Sequence, residues 1–516
     1  MVFKNIPLKG LIIFLLLFVV YFYTRLTNIM SLPLFTDEAI YVRWAQIARF
    51  DAAWRFISLT DGKQPSYIWM AMNSMRVFDD PLFASRIVSV FTGCITLIGV
   101  MMVTWEIFKK KLGGSTLHQM FGHLKKPESI GYIAGILFVL YPFALVYDRM
   151  ALYDSTVAAT MIWALYATVL LVRYIRLDLG MIFGIVAGSA MLTKTSGFFS
   201  IYLLPFSLLL FDWKQKNRRV KLFELAIFSV VGVIIAFVMY SILRLSPFFY
   251  IIDEKNGIFV WTISEWIKRN QLEIFISNFN GLFGWFITYV SLPVVALAVL
   301  ALALPGKRLE KVLLFMWFAV PFFGLTVFGK TIYPRFIYFM TPVVIVLASY
   351  SLAFLLKKIR LKIIFYAIFL IILGAYARTD YYIMYDFAHA PIPQADLGQY
   401  INSWPAGGGI KEMVAFFEEE ARQNGRIYVA TQGTFGSLPT YAMEIYLGLN
   451  NNIETRGIYP LPPLIPEDLK ERSKSMPVYV VLNDTEIPPS EWPVTLVEKY
   501  QKGIGDRYLS IFRVNP

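Results

Sequence analysis

Apolar blocks of about 17–25 residues recur along the whole chain, and each is long enough for a helix to cross the hydrocarbon core of a bilayer. Backbone amides and carbonyls find no water in lipid, so such blocks satisfy their hydrogen bonds internally, as helices. Only 16% of the 516 residues are charged, against 57% hydrophobic, which sets the chain apart from soluble domains. Spans are predicted over 10–26, 84–108, 130–147, 155–174, 179–193, 197–211, 222–244, 282–304, 311–328, 335–356 and 361–378, about eleven in all. The first block, LIIFLLLFVVYFYTRL, follows Lys4 and Lys9; no small-x-small cleavage site comes after it, so it reads as a retained anchor.

The formal charge of +13 would suit nucleic acid, but its distribution points elsewhere. Basic residues gather in alternate short loops: Lys109 to Lys111 with Lys125 and Lys126, then Lys214 to Lys221, Lys307 to Lys311, and Lys357 to Lys362. That alternation is positive-inside patterning, so these loops are read as cytoplasmic and a nucleic-acid partner has no support. The reading makes a multi-pass plasma (inner) membrane protein, with a cytoplasmic N-terminus and an extracytoplasmic tail. The segments 179–193 and 197–211 are short, yet merging them would turn the Lys214 to Lys221 cluster outward.

The outward segments are then 27–83, 148–154, 193–197, 245–281, 329–335 and everything after 379. Residues 37–50 read as a helix lying along the membrane surface, with Ile40, Trp44 and Ile47 on one stripe and Arg43 and Gln46 opposite. DGK at 61–63 signals a turn, and Pro65 opens a second surface helix. The transmembrane domain is thus 1–378, with juxtamembrane helices in 37–80. Beyond it, 379–516 has the composition of a small soluble α/β domain. There GIKEMVAFFEEEARQNG reads as an amphipathic helix with Ile410, Val414, Phe417 and Ala421 in register, while RIYVAT, PVYVVLN and RYLSIFRV read as strands.

Chemistry falls to carboxylates and cations. Cys94 is the one cysteine and lies in an apolar span; of three histidines, His118 and His123 fall in a cytoplasmic loop and His389 stands alone. Histidine-based zinc chemistry and a Ser-His-Asp triad are therefore not expected. Asp37 and Glu38 follow Thr36 directly after the first span. They either occupy the first turn of a helix capped by Thr36 or supply a base for an acceptor arriving from outside. Asp154 is a further outward acid. Lys63, Arg149, Lys194 and Arg335 are outward cations suited to a lipid phosphate, and Arg335 has the forked guanidinium that fits phosphate oxygens best. Each has a plainer alternative, a solvated turn for Lys63, local pairing for Arg149 and Asp154, and snorkelling for Lys194 and Arg335.

Five motifs in order, TDEAIY, DGKQPSYIW, RMALYD, GSAMLTKTSG and YPRFIYFMTP, resemble the GT-C class of polytopic membrane glycosyltransferases. Within it the resemblance is to the superfamily of protein O-mannosyltransferases and lipid A aminoarabinose transferases, and it covers roughly the first two thirds of the chain. It implies an all-α polytopic membrane domain with a small α/β extracytoplasmic C-terminal domain. It further implies a polyprenyl-phosphate-linked sugar donor, a protein, glycan or lipid acceptor, and inversion at the anomeric carbon. On this basis Asp37 is the leading base, assisted by Glu38 and Asp154, while Lys63 and Arg335, with Arg149 and Lys194, bind the donor phosphate. Family members often carry two prolines after the equivalent lysine, whereas Gln64 precedes Pro65 here. No histidine-dependent metal site carries over, and the outward carboxylates leave room for Mg²⁺ or Mn²⁺. The competing readings are a transporter or flippase of lipid-linked sugars, and a noncatalytic subunit that binds lipid phosphate.

Overall fold

Most predicted spans overlap apolar helices in the computed structural model, which describes residues 8–109, 129–433, 436–484 and 487–516. Lys4, Lys110, Lys111, His118, His123, Lys125 and Lys126 lie outside the described residues. Among the described residues five helices are long and apolar enough to cross a bilayer: Pro81–Phe108, Asp154–Tyr174, Arg218–Leu245, Arg308–Phe328 and Lys362–Tyr385. Two further stretches are bent pairs. Ser129–Val139 meets Pro142–Asp148 at 58°, and Gln271–Val290 meets Leu292–Ala303 at 100°. Proline stands at the first or second position after each break, where it cannot continue the preceding hydrogen-bond ladder. A single straight helix over 282–304 is thereby replaced by two, and the span expected from residue 335 becomes a helix that Pro342 opens. The 197–211 stretch is mostly 3-10 turns, interrupted before Pro205.

The chain divides into two compact units. One comprises Met1–Thr27, Phe56–Tyr67 and Val88–Met384; the other comprises Asn28–Arg55, Ile68–Ile87 and Tyr385–Pro516. The boundary expected at 378/379 is therefore incomplete, because most of the segment between the first two spans groups with the tail.

Within the first unit, Gly180, Gly184 and Gly188 form a stripe on the Leu177–Thr193 helix, facing the Arg218–Ser241 helix. A Cβ on Gly184 would lie 2.4 Å from the Gly232 carbonyl oxygen, so only glycine lets these backbones meet. The outer side of the Arg218–Ser241 helix exposes Phe223, Ile227, Val230, Ile234 and Phe237, an apolar surface of the kind lipid covers. Charge collects at two levels. Glu106, fully buried, accepts from Lys109 at 2.7 Å and Arg173 at 3.0 Å, and Arg173 also reaches Glu310, the partner of Lys307. Asp154, at the other end of the Asp154–Tyr174 helix, belongs to a different cluster. Its 21 residues put the two levels roughly 30 Å apart, about the thickness of a hydrocarbon core.

In the second unit, the five-stranded sheet runs β4-β3-β5-β7-β6, where β3 is Ile427–Gln432, β4 Ile453–Ile458, β5 Val478–Asp484, β6 Val494–Gln501 and β7 Tyr508–Val514. β3 is parallel to both its neighbours, and β7 is antiparallel to β5 and β6. Tyr428, Val478, Val480, Leu482 and Trp492 share one core on the sheet. A two-stranded ribbon, β1 (Leu34–Phe35) with β2 (Ala406–Gly407), ties the early segment to the tail. The Ile410–Asn424 helix buries Met413 where Val414 was expected, with Ile410, Phe417 and Ala421 as foreseen. The Thr36–Phe50 helix differs more from expectation. Its polar side is not left to water: Arg43 pairs with Glu444 at 2.8 Å and Gln46 donates to the Ile445 carbonyl at 3.1 Å, so the Thr440–Leu447 helix covers it.

Candidate functional site

Three loops of the first unit deliver cations to one place. The Leu177–Thr193 helix ends at Lys194, whose extended backbone turns the ammonium toward Asp154 at 2.8 Å. Lys194 also lies 4.8 Å from the centre of the Phe336 ring, and the Arg335 guanidinium lies 5.9 Å from the same ring. Burial lowers the Lys194 pKa most, Asp154 opposes that shift, and the fields of Arg335 and Lys63 add to it. Like charges that act on one another in this way are costly without an anion between them.

Lys63 enters on the turn that follows the Ile57–Asp61 3-10 helix. Gly62 closes that helix at φ +65°, a left-handed conformation that glycine adopts without strain. Lys63 pairs with Asp61 at 3.3 Å. Gln64 is buried, and its amide donates to the Thr195 hydroxyl at 3.0 Å. The amide thus fastens the Lys63 turn to the residue after Lys194, a tie that proline has no donor to make. Tyr67 packs on Tyr153 with 5.1 Å between ring centres, and so holds the same turn beside Asp154.

Arg149 has a structural position instead of a phosphate-facing one. Fully buried, it donates to the carbonyls of Thr24 at 2.9 Å and Thr27 at 2.6 Å, satisfying the end of the first helix. Its neighbour Asp148 accepts from Arg25, Tyr21, Ser155 and Tyr338, and this polar knot locks the 148–154 link.

Asp37 and Glu38 lie in the second unit. Thr36 does not cap the helix; its hydroxyl donates to the Pro405 carbonyl at 2.9 Å, and Glu38 accepts the Phe35 amide instead. Glu38 is fully buried and takes both ends of Arg86, at 2.9 and 2.7 Å. Arg86 spends its remaining donors on the carbonyls of Ile29, Leu32 and Pro33. The Glu38 carboxylate is thus engaged by Arg86 and the Phe35 amide within the fold. Asp37, in the same helical turn, is half-buried.

Sequence reasoning passed over Asp61, Lys255 and Arg86. Lys255, in the segment 245–281 that was expected to face outward, meets Asp61 at 2.5 Å. Positive-inside patterning makes lysine and arginine sparse in outward loops, a signal that could have marked Lys255 as well. Among the described residues, no three His, Cys, Asp or Glu side chains come together as a metal cage.

The fold is that of the GT-C class of polytopic membrane glycosyltransferases. ArnT from Cupriavidus metallidurans, a lipid A aminoarabinose transferase, superposes in its apo state with a TM-score of 0.58 at 14% identity, over 98% of this chain and 99% of that one. Its structure bound to undecaprenyl phosphate matches with a TM-score of 0.56 at 14% identity, over 99% and 100%. The archaeal oligosaccharyltransferase AglB from Archaeoglobus fulgidus, in complex with an inhibitory peptide and a dolichol-phosphate, gives 0.52 at 11% identity, over 92% of this chain and 69% of that one. At these identities the likeness is one of fold. No protein-family model matches the sequence, and no curated protein matches it significantly.

Proposed function

We propose that this chain is a membrane glycosyltransferase that moves a sugar from a polyprenyl-phosphate donor to an acceptor hydroxyl at the outer membrane face, with inversion. The observation that carries the reading is the meeting of Lys63 and Arg335, from two separate loops, with the Asp154-paired Lys194 of a third, all in one unit. Fold neighbours that bind undecaprenyl phosphate and dolichol-phosphate support a donor of that chemistry.

In the reaction, the acceptor oxygen forms a bond to the anomeric carbon as the bond from that carbon to the phosphate oxygen breaks. The electron pair stays on the departing phosphate, which needs no proton, and the acceptor proton passes to a carboxylate. Lys63, Lys194 and Arg335 stabilise the charge growing on phosphate, and the loss of one such donor typically raises a barrier by about 3 kcal/mol. Asp154 holds Lys194 in place. Asp37 is the proposed base. The outward-facing tail, residues 379–516, takes part in acceptor selection.

The test is turnover of a panel of polyprenyl-phosphate sugars by purified protein, with and without a divalent-ion chelator, comparing wild type with Asp37→Asn. Turnover by wild type that Asp37→Asn abolishes, with donor binding retained, is the expected result. Equal turnover by both proteins removes Asp37 from the mechanism. Lipid-phosphate binding without turnover of any donor would favour a transporter or a binding subunit.

A further inference from the structure

The Ile251–Phe259 helix touches all three cation-bearing loops of the first unit. Lys255 reaches Asp61, two residues before Lys63, at 2.5 Å. Next along the helix, Asn256 accepts from the Thr195 hydroxyl at 3.1 Å, beside Lys194. Where the helix ends, the Trp261 amide donates to the Phe328 carbonyl and the Lys330 amide to the Phe259 carbonyl, each at 2.8 Å, on the segment leading to Arg335. The turn itself is pressed onto this helix, since a Cβ on Gly62 would stand 2.5 Å from the Lys255 Cβ and 2.7 Å from the Ile251 carbonyl oxygen.

Asp61 stands between two ammonium groups, Lys255 on one carboxylate oxygen and Lys63 on the other. The three side chains keep between 21 and 25% exposure, so the pairs are partly hydrated. We propose that Asp61 is a resident counter-ion occupying part of the phosphate site, and that Lys255 is a fourth phosphate-binding cation that turns from Asp61 to a lipid-borne phosphate. The inference rests on the lipid-phosphate reading above and adds to it a residue, a competitor and a direction of effect.

A phosphate arriving beside Lys63 repels the Asp61 carboxylate and competes for the same donors. Lysine suits such an exchange, having three donors on a flexible four-carbon stem. Four cations, Lys63, Lys194, Lys255 and Arg335, face two carboxylates, Asp61 and Asp154, leaving an excess of two positive charges. A sugar phosphodiester carries one negative charge and the monoester product up to two, so the cluster grips the product harder than the donor. By competing for two of the four cations, Asp61 weakens that grip and speeds product release.

The experiment measures binding of undecaprenyl monophosphate to the purified full chain, with undecaprenol and inorganic phosphate as separate arms. Asp61→Asn is expected to tighten binding about two- to fivefold and to slow multiple turnover, while Lys255→Met weakens binding by a similar factor. Lys255→Met in the Asp61→Asn background separates the roles. If Lys255 touches phosphate its effect persists there, and if it only holds Asp61 the effect disappears, which overturns that half of the proposal. Unchanged or weaker binding by a folded Asp61→Asn protein overturns the counter-ion role, and Asp61→Ser repeats the test should the amide disturb the turn. Tight binding of inorganic phosphate equal to that of the lipid would overturn the lipid-borne source. Failure of wild type to bind undecaprenyl monophosphate would instead strike the donor-site reading itself.

Discussion

The Lys194 ammonium and the Arg335 guanidinium lie against one aromatic ring, that of Phe336, at 4.8 and 5.9 Å from its centre. The negative face of the ring partly satisfies both cations, while they repel each other, so the arrangement stays electrostatically open to an anion. Arg335→Ala is expected to weaken undecaprenyl-phosphate binding by about 10- to 100-fold, with the thermal midpoint almost unchanged. Arg335→Lys should recover only part of the affinity, because a point charge cannot grip two phosphate oxygens side by side. A direct binding titration of the three proteins checks both statements.

The lowered pKa of Lys194 predicts a pH dependence with a definite sign. Its cationic form prevails below the folded pKa and disappears as pH rises through it, earlier than for an ordinary lysine near 10.4. Affinity for a lipid phosphate should therefore start to fall on the alkaline side before an unperturbed lysine would titrate. Lys194→Arg keeps its charge and should abolish that limb of the binding profile, and an unchanged profile would remove Lys194 from the phosphate site.

Glu38 and Arg86 make a fully buried pair. Removing one partner strands a charge in the interior, and Glu38→Leu or Arg86→Leu alone should cost roughly 3–5 kcal/mol of stability. The double leucine variant should recover part of that loss. Activity per folded molecule is expected to survive Glu38→Gln far better than Asp37→Asn, so a kcat measurement corrected for folded fraction separates the two neighbours.

Asp380, on the Lys362–Tyr385 helix, is 2% exposed, and neither carboxylate oxygen has a hydrogen-bond partner among the described residues. The fields of Arg25 and Arg149 both act on it. With Asp148 it makes two buried acids against two buried arginines. Asp380→Asn and Arg149→Met should each destabilise, and together should cost less than their sum by about 1–3 kcal/mol. Strict additivity in a double-mutant cycle would show that the two charges are not coupled.

Much of this architecture was legible along the chain. The helices came from apolar length, since lipid leaves the backbone no other way to pair. The strands Ile427–Gln432, Val478–Asp484 and Tyr508–Val514 came from β-branched and aromatic runs, and all three lie inside the sheet. The two overlooked strands, Ile453–Ile458 and Val494–Gln501, are its edges, where one side meets solvent and charges interrupt the pattern. The bend after Val290 escaped notice because a continuous apolar run carries no sign of direction.

For the site, the sequence by itself determined which residue types are present and at which end of the helices they stand, because charge in an apolar chain is placed by hydration cost. Lys63, Asp154, Lys194 and Arg335 could be selected on that ground alone. Only the tertiary structure decided which of the selected charges meet one another and which are used up holding the backbone. Arg149 caps a helix, Glu38 neutralises Arg86, and Lys255 joins Asp61 across 194 positions of chain. Partner choice among like side chains depends on packing between distant segments, and no local pattern of residues encodes it.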